Sequence, residues 1–217
     1  VLLINFMDDD YKIVSMGHRN PQGIFYDEIN DKIFLSEHGP FGGDEINIIY
    51  NPLAKIENFG WPISSYGEHY GGKIDSNKEK YLKAPLNKSH AEFGFVEPSV
   101  YFDKSIAPSK IAIIPGKFNN SGYNQIFLSS LGFDNEKGRR SIHNYLLNKD
   151  QKFELIEIIA LNERIIKSKK AVRTYKKIKV LYLDDLIKSS RTINIINYLL
   201  KTKKYRNLHL IIGSDNL

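Results

Sequence analysis

Apolar positions along this chain follow two grammars. Up to about residue 160 they come in short runs: Lys32 to Ser36 (KIFLS), Glu45 to Tyr50 (EINIIY), Lys110 to Ile114 (KIAII) and Gln125 to Ser129 (QIFLS). Each run has strand length, is rich in β-branched or aromatic residues, and lies near Gly, Pro, Asn or Asp turn residues. Several short strands at modest spacing predict an all-β segment: a barrel, a sandwich or a propeller. Asn30 to Ser36 (NDKIFLS) and Asn124 to Ser129 (NQIFLS) echo each other, as two blades of a propeller would. The intervening stretch Asn58 to His90 carries Gly60, Gly67, Gly71 and Gly72 among Trp61, Tyr66, His69 and Tyr70, and predicts a long, ordered, ligand-facing loop.

Beyond residue 160 the period changes. Glu163 to Lys176 places Ile165, Ile166, Ala171 and Val172 on one helical face, and Lys179 to Leu183 (KVLYL) is a short strand. Ser189 or Ser190 caps a helix over about Thr192 to Lys201, with Ile193, Ile196 and Leu200 at helical spacing. Leu208 to Ile212 (LHLII) then reads as a strand that ends at Gly213-Ser214-Asp215-Asn216, where a ligand loop follows a strand end in α/β units.

Charge follows the same boundary. Residues 163–217 hold 14 of the 31 Lys and Arg but 4 of the 25 Asp and Glu, while the preceding residues hold 17 against 21. All 8 Pro lie at or before Pro115, and 14 of the 15 Gly at or before Gly138. The formal net charge of +6 is therefore the sum of an acidic part and a basic part. With no Cys, disulfides and zinc sites that need a thiolate are excluded. No apolar run approaches the ~18 residues that cross a bilayer, and the residues after Val1 carry no signal-peptide pattern. The basic part lacks the interleaved aromatics of a single-strand binder, so it predicts a solvated surface and no nucleic-acid partner.

Candidate chemistry concentrates in four stretches. Gly17-His18-Arg19-Asn20-Pro21-Gln22-Gly23 sets an imidazole and a guanidinium on a fixed turn, suited to accepting a proton and neutralising an anion. Glu37-His38-Gly39-Pro40-Phe41-Gly42-Gly43-Asp44-Glu45-Ile46-Asn47 gathers three carboxylates and a His, suited to a hard cation or a sugar hydroxyl and equally to a solvated acidic turn. Asn58-Phe59-Gly60-Trp61-Pro62 with Ser65 to Tyr70, and Ser105-Ile106-Ala107-Pro108-Ser109, add aromatics, hydroxyls and carbonyls.

In this order and spacing, the four stretches resemble the signature series of the glucose/sorbosone dehydrogenase family. Residues 1–162 look like its pyrroloquinoline quinone-dependent aldose sugar dehydrogenase branch. The resemblance implies a six-bladed β-propeller that oxidises the anomeric carbon of aldoses to lactones, with hydride passing to the quinone beside a calcium ion. Carried over residue by residue, it makes His18 the catalytic base, Arg19 and Gln22 cofactor-lining residues, and the backbone carbonyls of Ala107 and Pro108 the calcium ligands. It implies a periplasmic or secreted parent protein and a sugar substrate. Blades are expected upstream of residue 1 and after about residue 164, which leaves about half a ring and an inactive fragment. Phe41 stands where the family often has Arg.

Residues 163–217 resemble a second family, the nicotinate-nucleotide adenylyltransferases, through Glu163 to Arg173, Lys179 to Asp185, Ser190 to Asn194 and Leu208 to Leu217. That resemblance implies an α/β nucleotidyltransferase-like tail, with Thr192 near a nicotinate site and Gly213 and Asp215 near a ribose. The HxGH phosphate signature of that family is absent, so phosphate positioning is not expected. Leu161 to Ile165 fits both families, which predicts a chimera joined there. Three functions are expected in descending order: a sugar dehydrogenase fragment, an adenylyltransferase fragment, and a non-catalytic sugar-binding propeller.

Overall fold

A computed structural model describes residues 1–5, 7, 10–70, 78–118, 122–134, 138–176, 180, 183 and 192–202. The chain divides into two compact units, Val1–Leu161 and Asn162–Leu217.

The first unit is mostly β-sheet, and two four-stranded antiparallel sheets form its body. One runs in the order β4 (Pro21–Asp27), β5 (Lys32–Glu37), β6 (Asp44–Tyr50) and β8 (Val100–Phe102). The other is β9 (Pro108–Ile114), β10 (Asn124–Ser130), β13 (Ile142–Leu147) and β14 (Phe153–Ile159). Two-stranded ribbons complete the unit: β1 (Leu2–Asn5) with β2 (Asp10–Ile13), and β11 (Phe133–Asp134) with β12 (Gly138–Arg139). A parallel pair, β3 (Ser15–Met16) with β7 (Glu57–Asn58), joins two of the sequence motifs.

The four predicted strands all form, each longer by one or two residues than its apolar run. Their burial explains why β5 and β6 read as continuous apolar runs: both faces are covered. Register places Phe34 opposite Ile48 and Ile33 opposite Ile49. Phe34, Ile46 and Ile48 face a core shared with Ile111, Ile113, Ile126, Leu128, Tyr145 and Leu147 of the second sheet. Ile33, Leu35 and Ile49 face a separate core with Val14 and Phe59. The two echoing phrases occupy equivalent places, since β5 and β10 are each the second strand of their sheet.

Two expectations need correction here. The motif at residues 17–23 predicts a turn throughout, but Pro21 to Gly23 already belong to β4; Gly23 permits it, because a Cβ there would strike the Ser109 carbonyl and the Ser36 hydroxyl. The stretch Asn58 to His90 is not all loop, since Lys78–Lys83 forms α1, in which Lys83 reaches back to Glu79. Gly71 and Gly72 lie outside the described residues.

In the second unit, the helix expected at Glu163–Lys176 is α2 (Leu161–Val172), which starts on the last residue of the first unit and ends earlier than expected. Lys169 and Lys170 in its last turn suit the negative end of the helix dipole. The helix at Thr192–Lys201 forms as α3. The expected caps Ser189 and Ser190, the strand Leu208 to Ile212, the ligand loop with Gly213 and Asp215, and most of the strand Lys179 to Leu183 lie outside the described residues. Among the described residues, no helix is long and apolar enough to cross a membrane.

Candidate functional site

Three of the four motifs line one cleft, and hydrogen bonds join the fourth to them. Phe59 N donates to Met16 O and Trp61 N to Gly17 O, both at 2.9 Å, which locks the third motif onto the first. Gly17, at φ +74°, is required at this crossing, because a Cβ would overlap Asn58 Oδ1 and the backbone of Phe59 and Gly60. Asp44, fully buried at the start of β6, joins the second motif to the fourth. Its Oδ1 accepts from Gly39 N at 2.9 Å; its Oδ2 accepts from Ser105 Oγ, Ile106 N and Ala107 N at 3.1, 2.7 and 2.9 Å. A buried carboxylate with four donors is a strong clamp.

The cleft is lined by Gly17, Arg19, Glu37, His38, Trp61 and His90, among others; its enclosed part has room for about one water, within about 230 Å³ of empty space that opens to solvent. Beside it stands His18, its side chain 5% exposed and its ring stacked on Phe59 with centroids 4.8 Å apart. Nδ1 faces Glu37 Oε1 at 2.8 Å, and a carboxylate only accepts, so Nδ1 carries the proton. Nε2 faces Ser15 Oγ at 2.8 Å. The line Ser15–His18–Glu37 has the spacing of a nucleophile, base and orienting acid. Ser15 is 2% exposed, however, so it fixes the ring instead of attacking a ligand.

Glu37 also accepts from Arg19 N at 2.8 Å and Asn47 Nδ2 at 2.7 Å. Burial pushes its carboxyl up, but these hydrogen bonds and the His18 ring outweigh burial and hold it below the usual carboxylate range. Glu45, opposite Glu37 in the β5–β6 register, has the reverse balance: burial and the Glu37 charge push it up to about 8.

Arg19 Nη1 donates to the carbonyls of His38 and Gly39 at 3.2 and 2.8 Å, and its guanidinium lies 5.3 Å from the centre of the Trp61 ring. No described residue accepts from its Nε or Nη2. Of the residues expected to serve a cofactor, Arg19 therefore lines the cleft with a free cationic edge. Gln22 does not reach the cleft: it is exposed and donates to Asn20 Oδ1 at 2.8 Å. Each carbonyl expected to hold calcium accepts one hydrogen bond, Pro108 O from His38 Nε2 at 2.8 Å and Ala107 O from Leu131 N at 3.0 Å, and each keeps a second lone pair. No group of three or more His, Asp or Glu among the described residues could hold a metal ion.

Ser15, Asn47 and His90 do not stand out in the sequence. Ser15 precedes the first motif, and His90 is separated from Glu45 by 45 positions that fold back. Asn47 lies within the second motif, but its bridging role needs the hairpin register. That register is the available signal, since two Glu directly opposite require either a shared donor or a proton.

Sheets of this kind, with polar groups gathered where strands end, define a mostly-β protein with a polar cleft. The family model described as Glucose / Sorbosone dehydrogenase matches residues 4–165, and the chain belongs to that family. It is 38% identical over 101 residues to an aldose sugar dehydrogenase of Escherichia coli, covering 46% of this chain and 24% of that protein. It is 43% identical over 60 residues to the quinoprotein glucose dehydrogenase B of Acinetobacter calcoaceticus, covering 27% and 12%. The crystal structure of the soluble aldose sugar dehydrogenase of Escherichia coli in its apo form superposes with a TM-score of 0.51 at 29% identity, covering 69% of this chain and 37% of that one. The chain spans about a quarter of the length of the first curated relatives it matches. A weaker similarity, 34% over 73 residues, links it to a probable nicotinate-nucleotide adenylyltransferase of Pelagibacter ubique, covering 34% of this chain and 40% of that protein.

Proposed function

We propose that this chain is part of a sugar dehydrogenase that removes hydride from the anomeric carbon of an aldose, giving the lactone, with pyrroloquinoline quinone as acceptor. The family match supports the dehydrogenase class. The observation that carries the cofactor assignment is Arg19, a half-buried guanidinium backed by Trp61 with its Nε and Nη2 edge turned to no described partner. Such an edge recognises a planar carboxylate. The quinone, when bound, supplies a two-electron, hydride-accepting centre.

The chain's own residues then divide the work. Arg19 holds an anionic group of the cofactor. His18 takes the anomeric hydroxyl proton on Nε2, exchanging Ser15 Oγ for the substrate, while Glu37 stabilises the imidazolium formed. Calcium, when bound, would be held by the second lone pairs of the Ala107 and Pro108 carbonyls, each of which accepts one hydrogen bond. In this reading the two four-stranded sheets are blades of a partial six-bladed β-propeller, and the parent protein is periplasmic or secreted. Residues 163–217 are a separate α/β segment.

The chain has one Trp, and it lies in the cleft, so its fluorescence reports binding directly. Titration with pyrroloquinoline quinone is expected to quench Trp61, and Arg19→Ala to weaken binding about tenfold or more, the worth of one charge-assisted contact. Absence of quenching would overturn the cofactor assignment. Dye reduction by glucose is expected in a full-length relative and not in this chain alone; sugar binding there without turnover would favour a non-catalytic propeller.

A further inference from the structure

In the wall of the cleft, Glu45 and His90 meet in a place that no described cation neutralises. Glu45 is 7% exposed and His90 1%. His90 Nε2 stands 3.7 Å from Glu45 Oε1, and neither ring nitrogen of His90 has a hydrogen-bond partner among the described residues. The other carboxyl oxygen of Glu45 accepts from Asn47 Nδ2 at 3.1 Å, the same amide that serves Glu37. The other charged groups facing Glu45 are acidic: Glu37 across the β5–β6 hairpin, Asp44 beside it in β6, and Glu97. Tyr101 is its register partner on β8.

Two charge assignments are open to such a pair, an ion pair or a neutral acid beside a neutral imidazole. An ion pair this deeply buried needs additional hydrogen bonds on both partners. Here the imidazole has only the nearby backbone of Phe59 and Val96, short of full hydrogen-bond geometry, and the carboxylate would share a single amide with an already ionised neighbour. We propose that Glu45 and His90 form a neutral, proton-holding latch, in which the proton stays on the Glu45 carboxyl that faces His90 Nε2 and its ionisation loosens the wall of the cleft. Burial pushing Glu45 up, and burial pushing His90 down, agree with that assignment.

The latch joins four segments, which gives its proton leverage. His90 stacks on Tyr66 with ring centroids 5.4 Å apart, and Tyr66 stacks on Tyr101 at 3.7 Å. Tyr66 Oη donates to Glu97 Oε2 at 2.8 Å, and Glu97 Oε1 accepts from Ala91 N at 2.8 Å, closing the turn that carries His90. Ionised Glu45 adds a further negative charge beside Glu37, Asp44 and Glu97, so the cost falls on this aromatic stack and on Ser64 and Ser65, which line the cleft with His90.

The test is urea unfolding of the full chain between pH 5 and 9.5, for wild type and Glu45→Gln, with neither sugar nor cofactor present. An acid whose folded pKa is raised loses its stabilising effect as pH rises from the unfolded value to the folded one. The wild-type unfolding constant, taken relative to that of Glu45→Gln, is therefore expected to rise about tenfold per pH unit up to about pH 8 and to level off above it. A ratio that stays flat or falls with rising pH would overturn the proposal. Should Glu45→Gln fail to fold, carbon NMR of the wild-type Glu carboxyls decides: one carboxyl titrating near pH 8 with His90 uncharged at pH 7 supports the latch, and Glu45 titrating below pH 5 with His90 charged refutes it.

Discussion

At Glu37, one carboxylate answers three donors from three places: the His18 ring, the Arg19 amide and the Asn47 side chain. An amide in its place keeps the shape but loses the charge that all three recognise. Glu37→Gln is expected to destabilise the protein by about 3 kcal/mol at pH 7, the cost of breaking a buried charged pair, as measured by urea unfolding. Because its carboxyl is held low, its stabilising contribution is present above the unfolded value of 4.5 and is lost as pH falls below it. The variant is therefore expected to flatten the acid limb of the stability profile. Much of this site is legible as four stretches, and His18 and Arg19 stand out by type. What stays hidden is partnership. Ser15 lies three residues before His18 with no motif to mark it, nothing local pairs Glu45 with His90, and the hydrogen bonds that Leu131 and His38 give to the Ala107 and Pro108 carbonyls come from distant positions.

Strands show the same division. KIFLS and EINIIY read plainly because β5 and β6 are covered on both faces, so apolar residues follow each other with few polar interruptions. β4 is masked by Pro21 and Gly23, and by an outer face that leaves Ile24 and Tyr26 more than half exposed. β14 is masked in the same way, since Glu154 to Glu157 are all exposed. Phe34 has no exposed surface and packs between the two sheets, so Phe34→Ala is expected to cost about 3–5 kcal/mol, read from the shift in urea midpoint. Asp44→Ala removes the acceptor for Gly39 N, Ile106 N and Ala107 N together. Its expected effect is loss of about 3 kcal/mol or more and faster amide exchange at Ile106 and Ala107, while the strands themselves remain.

Over the whole molecule, the shift in composition near residue 160 and the division into units at Leu161 fall at the same place. Unfolding followed by Trp61 reports the first unit, because the only Trp lies there. Helix signal at 222 nm also samples α2 and α3, so the two probes are expected to give non-coincident transitions. A chain ended after residue 161 is expected to keep the Trp61 transition within about 0.5 kcal/mol; a larger loss would show that the first unit depends on residues 162–217.

The two-faced burial of β5 and β6 has a consequence for time as well as for stability. Amides enclosed between two cores exchange with solvent only through the rarest openings, so these strands should form the slowest-exchanging set in the chain. Glu37, Asp44, Glu45 and Asn47 are carried on that set. The polar groups of the cleft are thus carried on the strands expected to open least often, and their spacing is expected to outlast the motions of the neighbouring loops.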